Sequence, residues 1–258
     1  VTRVFGAGRH VLRYSVTFLV LAAAFVVVAV AAWDSVGWAA IVPLYAALSF
    51  ALLAVAYAGA GPRILLKRPN GRRSAIGWLL LAPYFLLNTL TFGLYRLLSR
   101  EPAYAEVAPN LFFGRRLSAR EAEAGGWAGV LDLAGEFPAG WWQRSRPGYR
   151  SLPVLDAAAP TEEELRSAAA WVAQAAAAGP VYVHCALGHG RSACVVIAHL
   201  LVSGRVATVA EGVRLLRSLR PGVRLHPPQA RLLRRLESKA SSRGAEHTGP
   251  PDTGREIG

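Results

Sequence analysis

Apolar residues are distributed along this chain in two regimes, and the change comes near residue 100. Tyr14 to Trp33 is an almost unbroken apolar run without a charge. At about 1.5 Å per residue it can cross a hydrocarbon layer about 30 Å thick. It is too long for a signal-peptide core and lacks a convincing cleavage site, so it reads as a retained span. Asp34-Ser35-Val36-Gly37 makes a short turn, and Trp38 to Ala58 is a second span, with Trp33, Trp38 and Tyr57 as interface aromatics. Together the two form a helical hairpin. Ile76 to Tyr95 is a third apolar segment, weakened as a simple span by Pro83, Asn88, Thr89, Thr91 and Gly93. The expectation is a membrane region over residues 1–98, with helices at about 14–33, 38–58 and 76–95.

Beyond Glu101 short apolar runs alternate with helical ones. Val107 to Gly114 (VAPNLFFG) reads as a strand after a turn, and Ser118 caps a short helix through Glu123. Gly129 to Leu133 and Tyr149 to Leu155 are strands. Thr161 opens a helix with a capping box, since Glu164 lies three residues on, and Gly179-Pro180 stops it. Val181 to His184 is a buried strand, followed by helices over Ser192 to Ser203, from Thr208 to before Pro221, and over Pro227 to Glu237. Strands alternating with helices indicate an α/β fold for residues 101–238. Residues 239–258 are polar and rich in Gly and Pro, and are expected to be disordered.

The net charge of +13 admits nucleic acid, anionic lipid or phosphorylated substrates as partners. No nucleic-acid-binding pattern is present, so nucleic acid is not expected, and the spans make the lipid bilayer the better partner. A plainer source of the charge is positive-inside bias with heavy use of Arg. The arm residues Arg3, Arg9 and Arg13 and the loop residues Arg63, Lys67, Arg68, Arg72 and Arg73 flank the hairpin on one side. Both flanks are therefore expected in the cytoplasm. If the third segment spans, the second domain lies outside, yet its flank is also basic (Arg96, Arg100, Arg115, Arg116). A re-entrant or interfacial helix reconciles the charges and keeps the domain cytoplasmic, on the inner or plasma membrane. The two cysteines, Cys185 and Cys194, imply no disulfide framework, and Cys194 reads as a buried inert thiol. The chain has no Met, so Val1 marks either a non-standard start or a sequence that begins past its true N-terminus.

The chemistry is concentrated in His184-Cys185-Ala186-Leu187-Gly188-His189-Gly190-Arg191-Ser192, between a buried strand and a helix. A loop entering a helix N-terminus aims backbone N–H groups at one point, where the helix dipole favours an anion. Ala186, Leu187, Gly188, His189, Gly190 and Arg191 form this phosphate cradle, with Gly188 and Gly190 allowing the tight turn. The same field favours a thiolate at Cys185, the nucleophile. Arg191 can curl back to hold two phosphate oxygens, and Ser192 can donate to the sulfur when it leaves. His184 would lie beneath the loop and orient it. His189 offers a cationic edge, or is simply a loop residue. The bland alternative is a Gly-rich strand–helix turn around a buried Cys. No His, Cys or acid spacing suits a metal, and neither a metal nor another cofactor is expected.

This segment matches the Cys-x5-Arg signature of the protein tyrosine phosphatase superfamily, and more of the chain resembles its dual-specificity branch. NLFFGRRLS, VLDLAGE, LPVLDAAAP and RSLRPGVRLHPPQARLLRRLE resemble that branch's first strand, next strand and turn, general-acid loop and terminal helices. The resemblance covers about residues 104–237. It implies a central sheet flanked by helices, no metal, and two-step hydrolysis. It also implies that Asp156, 29 residues before Cys185, protonates the leaving oxygen and then activates water. A turn or capping role is the alternative for Asp156, and Asp132, inside an apolar strand, is the rival acid.

For the substrate, the short connection to the membrane region and the loop from Phe137 to Arg150 favour a phospholipid. That loop carries Trp141, Trp142 and Arg144, which suit substrate or membrane contact in the headgroup layer. Core packing is the alternative for the Trp pair. A phosphoprotein bearing phosphotyrosine or phosphoserine/threonine is the second substrate reading, and a silent phosphate-binding membrane adaptor is the third.

Overall fold

The computed structural model describes residues 9–247. Helix α1 (Arg9–Val36) and helix α2 (Ile41–Val55) form the expected antiparallel hairpin, joined by a 3-10 turn at Gly37–Ala40. Phe18 and Phe25 of α1 stack on Phe50 of α2 with ring centroids 6.1 and 5.6 Å apart. The outward faces, including Leu19, Val27, Val30 and Ile41, are exposed and apolar. With no charge between Tyr14 and Trp33 of α1 or along α2, such a surface fits hydrocarbon better than water. Side chains of residues 1–11, including Arg3 and Arg9, lie outside the described ones.

After α2 the chain turns through Ala56–Ala60 and Gly61–Leu65 and folds into a tight hairpin closed by a Lys67–Arg73 bridge. Gly71 has φ +75°, and a Cβ there would lie 2.2 Å from the Tyr149 hydroxyl oxygen, so only glycine fits. Helix α3 (Ala75–Leu98) is capped by Ser74, whose hydroxyl accepts from Gly77 N–H at 3.0 Å. Its backbone leaves helical geometry at Leu81, two residues before Pro83, the residue that cannot donate. Helix α3 is thus kinked at Leu81 and runs on through Pro83 to Leu98. Leu12–Leu65 and Ala75–Leu98 are each long and apolar enough to cross a membrane.

The second region is an α/β domain around a five-stranded sheet of order β1-β2-β5-β3-β4. Its strands are β1 (Tyr104–Ala108), β2 (Leu111–Gly114), β3 (Gly129–Ala134), β4 (Gly148–Val154) and β5 (Val181–His184). Only the β1–β2 pair is antiparallel. The single strand expected over Val107 to Gly114 is instead a hairpin turn and its second strand. Asn110 adopts a left-handed conformation at φ 62°, which asparagine tolerates, and folds the chain back between Ala108 and Leu111.

Helices α4 (Ala119–Glu123), α5 (Trp141–Arg144), α6 (Glu162–Ala178), α7 (Arg191–Val202), α8 (Val209–Leu219) and α9 (Pro227–His247) complete the domain. Capping boxes at Ser118 and Thr161 start α4 and α6 as their sequences predict. Helix α7 is buried from Arg191 to Leu201 and is the centre of the core, with Cys194 fully enclosed and its thiol pushed up to about 12 by burial. Helix α9 continues to His247, past the expected end at Glu237. Residues 248–258 lie outside the described ones.

The helical region is bound to this domain by buried charge. Lys67 donates to Asp132 Oδ2 at 2.7 Å, and both side chains are enclosed. Asp132 also accepts from Tyr149 Oη at 3.0 Å and Ala134 N–H at 3.0 Å. Burial raises the Asp132 carboxyl, but Lys67, His184 and the Ala134 N–H together outweigh it and hold the pKa below the usual range. Arg73 is buried as well, so two of the five loop cations counted toward a cytoplasmic flank are internal. Replacing Lys67 by Met leaves Asp132 as an unpaired buried charge. Lys67→Met should destabilise the protein by about 3–5 kcal/mol, with more than half recovered in Lys67→Met/Asp132→Asn, measured by chemical denaturation in detergent.

Candidate active site

The carboxyl ends of β3, β4 and β5 meet at one place, the usual ligand position in a sheet of this kind. β5 sits between β2 and β3, so the loop after it opens at the middle of the sheet. Its apolar sequence, Val181-Tyr182-Val183, suits a strand covered on both faces. The loop from Cys185 to Gly190 then enters α7, with the unpaired N–H groups of the first helical turn directed at the cradle.

Cys185 is only 3 % exposed, yet it lines a cavity of about 240 Å³ together with Tyr14, Asp156, Leu187, His189, Gly190, Arg191, Gly222, Arg224 and His226. Its sulfur accepts from Gly188 N–H at 3.2 Å and lies 3.6 Å from Ser192 Oγ. Gly188 has φ +79°, and a Cβ there would fall 2.0 Å from Arg220 Nη1 and 2.3 Å from the Gly114 carbonyl carbon. That closeness lets Arg220 brace the cradle from below. Its guanidinium donates to Gly188 O at 3.0 Å, Leu187 O at 3.1 Å and Pro102 O at 3.1 Å.

His184 is buried beneath the loop, as expected. Its Nδ1–H donates to Cys185 O at 3.0 Å, and its Nε2 accepts from Gln143 Nε2 at 2.5 Å. Burial lowers its pKa, which keeps the ring neutral at pH 7 and suits one donor and one acceptor.

Arg191 turns back toward the sulfur side of the cavity. Its Nη1 donates to Glu136 Oε2 at 2.7 Å and Val154 O at 2.9 Å, and its Nη2 donates to Glu136 Oε1 at 2.6 Å. Asp156 Oδ1 lies 3.1 Å from Nη2. Burial opposes the guanidinium charge, but Glu136 and then Asp156 outweigh it and hold the pKa well above its ordinary value. The buried Nε has no partner within the protein and is the donor left for an oxyanion.

Asp156 follows β4 with its side chain 64 % exposed at the cavity edge. The adjacent Ala157 has φ 56°, so the chain turns sharply just after the carboxylate. Asp132, the rival acid, is enclosed with Lys67 and absent from the cavity lining. His189 lines the cavity, but its Nε2 sits 2.6 Å from Glu101 Oε2 and 3.3 Å from Tyr95 Oη. Any charge on it is matched locally by that carboxylate. Burial raises the Glu101 carboxyl, but hydrogen bonds from His189 and Gly222 N–H and the charge of Arg220 leave it below its ordinary value.

The expectation for the tryptophan pair needs correction. Trp142 is 5 % exposed and packs with Leu117, Trp127, Val130 and Tyr182, and its Nε1–H donates to Leu117 O at 3.3 Å. Two successive helical residues point about 100° apart, so one face of α5 cannot present both rings outward. Trp141 is 76 % exposed and Arg144 half-buried, and neither lines the cavity at Cys185. Sequence reading also passed over Glu136, Arg220, Arg224, His226 and Tyr14. Glu136 carried the one usable signal, an acid placed straight after an apolar strand.

Among the described residues no group of three or more His, Cys, Asp or Glu gathers as metal ligands would. Gly188→Ala forces a left-handed Cβ into Arg220 and the Gly114 backbone. It should abolish turnover and cost about 1–3 kcal/mol of stability, read from phosphate release and thermal unfolding.

Residues 129–239 match the family described as dual specificity phosphatase, catalytic domain. The sequence matches no curated protein. Among solved structures, Tk-PTP in its active form is 27 % identical with a TM-score of 0.49, covering 54 % of this chain and 98 % of its own. PTPMT1 is 21 % identical with a TM-score of 0.48, over 55 % of this chain and 99 % of its own. Human DUSP28 is 24 % identical with a TM-score of 0.47, over 54 % and 96 %. The stretch that matches, residues 129–239, holds Cys185 and Arg191, and the match supports a phosphoric monoester hydrolase of the dual-specificity and tyrosine phosphatase type.

Proposed function

We propose that this protein is a membrane-anchored phosphatase that removes phosphate from a phospholipid headgroup through a cysteinyl-phosphate intermediate on Cys185. The Cys185 thiolate attacks phosphorus, forming the S–P bond as the ester P–O bond breaks. Asp156 gives its proton to the departing oxygen. Arg191, through its open Nε–H and the Nη2–H, stabilises the equatorial oxygens, and backbone N–H groups of the cradle share that charge. Water then attacks the same phosphorus and gives a proton back to Asp156, while Ser192 donates to the sulfur as the S–P bond breaks. Glu136 fixes the guanidinium plane, and His184 fixes the carbonyl of Cys185.

The observation that carries the lipid reading is Tyr14. It belongs to α1, the long apolar helix, and it lines the same cavity as Cys185. The phosphate loop is likewise packed on the helical region, with Ala186 and Leu187 against Phe92 and Tyr95 of α3. A substrate reaching the sulfur therefore passes the seam between the helices and the catalytic domain, where a headgroup would lie. We read α1 and α2 as the spanning hairpin. The inner face of α3 packs on the hairpin through Leu81 and Phe85 and on the domain through Phe92 and Tyr95. Its other face exposes Ile76, Leu79, Leu86, Leu90, Leu94 and Leu97, the pattern of a helix lying in the interface. This reading puts the catalytic domain, residues 101–238, on the cytoplasmic side together with the loop at residues 61–73.

Phosphate release from a panel of phospholipids in vesicles and of phosphopeptides tests the class, and only the lipids should turn over efficiently. Efficient turnover of peptides alone would make this a protein phosphatase. Cys185→Ser should lose all turnover while keeping phosphate affinity. Tyr14→Ala should lower kcat/KM on vesicle-borne lipid about tenfold or more and leave a soluble aryl phosphate within about twofold. Asp156→Ala should slow alkyl phosphates about 100-fold and aryl phosphates far less, because aryl oxides leave without a proton.

A further inference from the structure

The loop between α2 and α3 does more than anchor the domain. Lys67 Nζ donates to Ala134 O at 2.7 Å in addition to its bond with Asp132. Arg73 Nη2 donates to Gly135 O at 2.9 Å, and its Nη1 donates to Leu65 O. The Arg73 guanidinium is further held 3.6 Å from the ring centroid of Phe85 on α3. Ala134 and Gly135 are the two residues immediately before Glu136, whose carboxylate holds Arg191 with a pair of bonds.

The sheet does not fix this stretch by itself. Pairing of β3 with β5 ends at Asp132 opposite His184, and pairing of β3 with β4 slips between Asp132 and Ala134. The β3–β4 ladder closes at Ala134 opposite Val154, and at that last pair and just beyond it two buried cations from the helical region bind the carbonyls. A fork–fork pair such as Glu136–Arg191 is sensitive to small shifts, because both bonds must stay aligned together. A displacement of about 1 Å at a catalytic group can lower turnover about 100-fold.

We infer that Lys67 and Arg73 are positioning residues for Arg191, acting through the Ala134 and Gly135 carbonyls and Glu136. Docking of the inter-helix loop thereby sets the catalytic competence of the phosphatase domain. This inference rests on the reading that Arg191 grips the phosphoryl group.

The test uses the full-length protein in detergent, a soluble aryl phosphate as substrate and tungstate as a competitive oxyanion probe. Arg73→Met leaves no carboxylate unpaired and is the first variant. Lys67→Met/Asp132→Asn, which removes both charges of the buried pair, is the second and stands in if the first does not fold. Each should lower kcat about tenfold or more and weaken tungstate inhibition in parallel, with Arg73→Lys restoring part of both. Glu136→Gln should do the same, and adding Arg73→Met to Glu136→Gln should have little further effect. An equal fold-loss from Arg73→Met with and without Glu136→Gln overturns the inference, as does unchanged tungstate affinity. The underlying reading fails separately, if Arg191→Lys leaves turnover and tungstate inhibition intact.

Discussion

A buried guanidinium has to be met by charge, and in this protein that requirement organises the site. Arg191 lies at the first position of a fully buried helix, where an unpaired cation would be very costly. Glu136 after β3, Asp156 after β4 and the carbonyl of Val154 converge on it. They come from the ends of β3 and β4, and Arg191 follows β5, so the arrangement exists only when β3, β4 and β5 are in register. With both Nη groups engaged and Nε open, the guanidinium is held in one plane beside the cavity. That orientation suits binding of a tetrahedral oxyanion at little further loss of side-chain freedom.

The cradle beside it is held by a second set of contacts, all to backbone. Arg220 binds two of its carbonyls, His184 binds a third, and Gly188 supplies a conformation that side chains disfavour. Braced carbonyls leave the N–H groups of the loop facing inward, which is what an anion site needs. Cys185 sits among them with a hydroxyl and an amide hydrogen near its sulfur. The sulfur lines the cavity, in contrast to Cys194, the fourth residue of α7, which is enclosed in the core.

The helical region and the catalytic domain share buried surface at this site. Tyr57 Oη donates to Asp156 O at 3.0 Å, Tyr14 forms part of the cavity wall, and Phe92 packs beside Ala186. Charges that a membrane rule would count as headgroup-facing are in part structural. Lys67 and Arg73 satisfy one carboxylate and three carbonyls inside the protein. Their burial is tolerated because these bonds replace ones that water would have made.

Local signals carried much of this protein. Uncharged runs of helical length gave the hairpin, capping residues such as Ser118 and Thr161 gave helix starts, and the spacing from Cys185 to Arg191 gave the chemistry, because each depends on neighbours along the chain. The β1–β2 turn at Asn110 and the inward face of Trp142 were decided by tertiary packing. So were the partners of Arg191, since Glu136 lies 55 positions away and its role exists only once β3 stands beside β5. A buried ion pair such as Lys67–Asp132 leaves no periodic trace in either segment. Only the folded chain brings the two charges together and excludes the water that would otherwise make their positions indifferent.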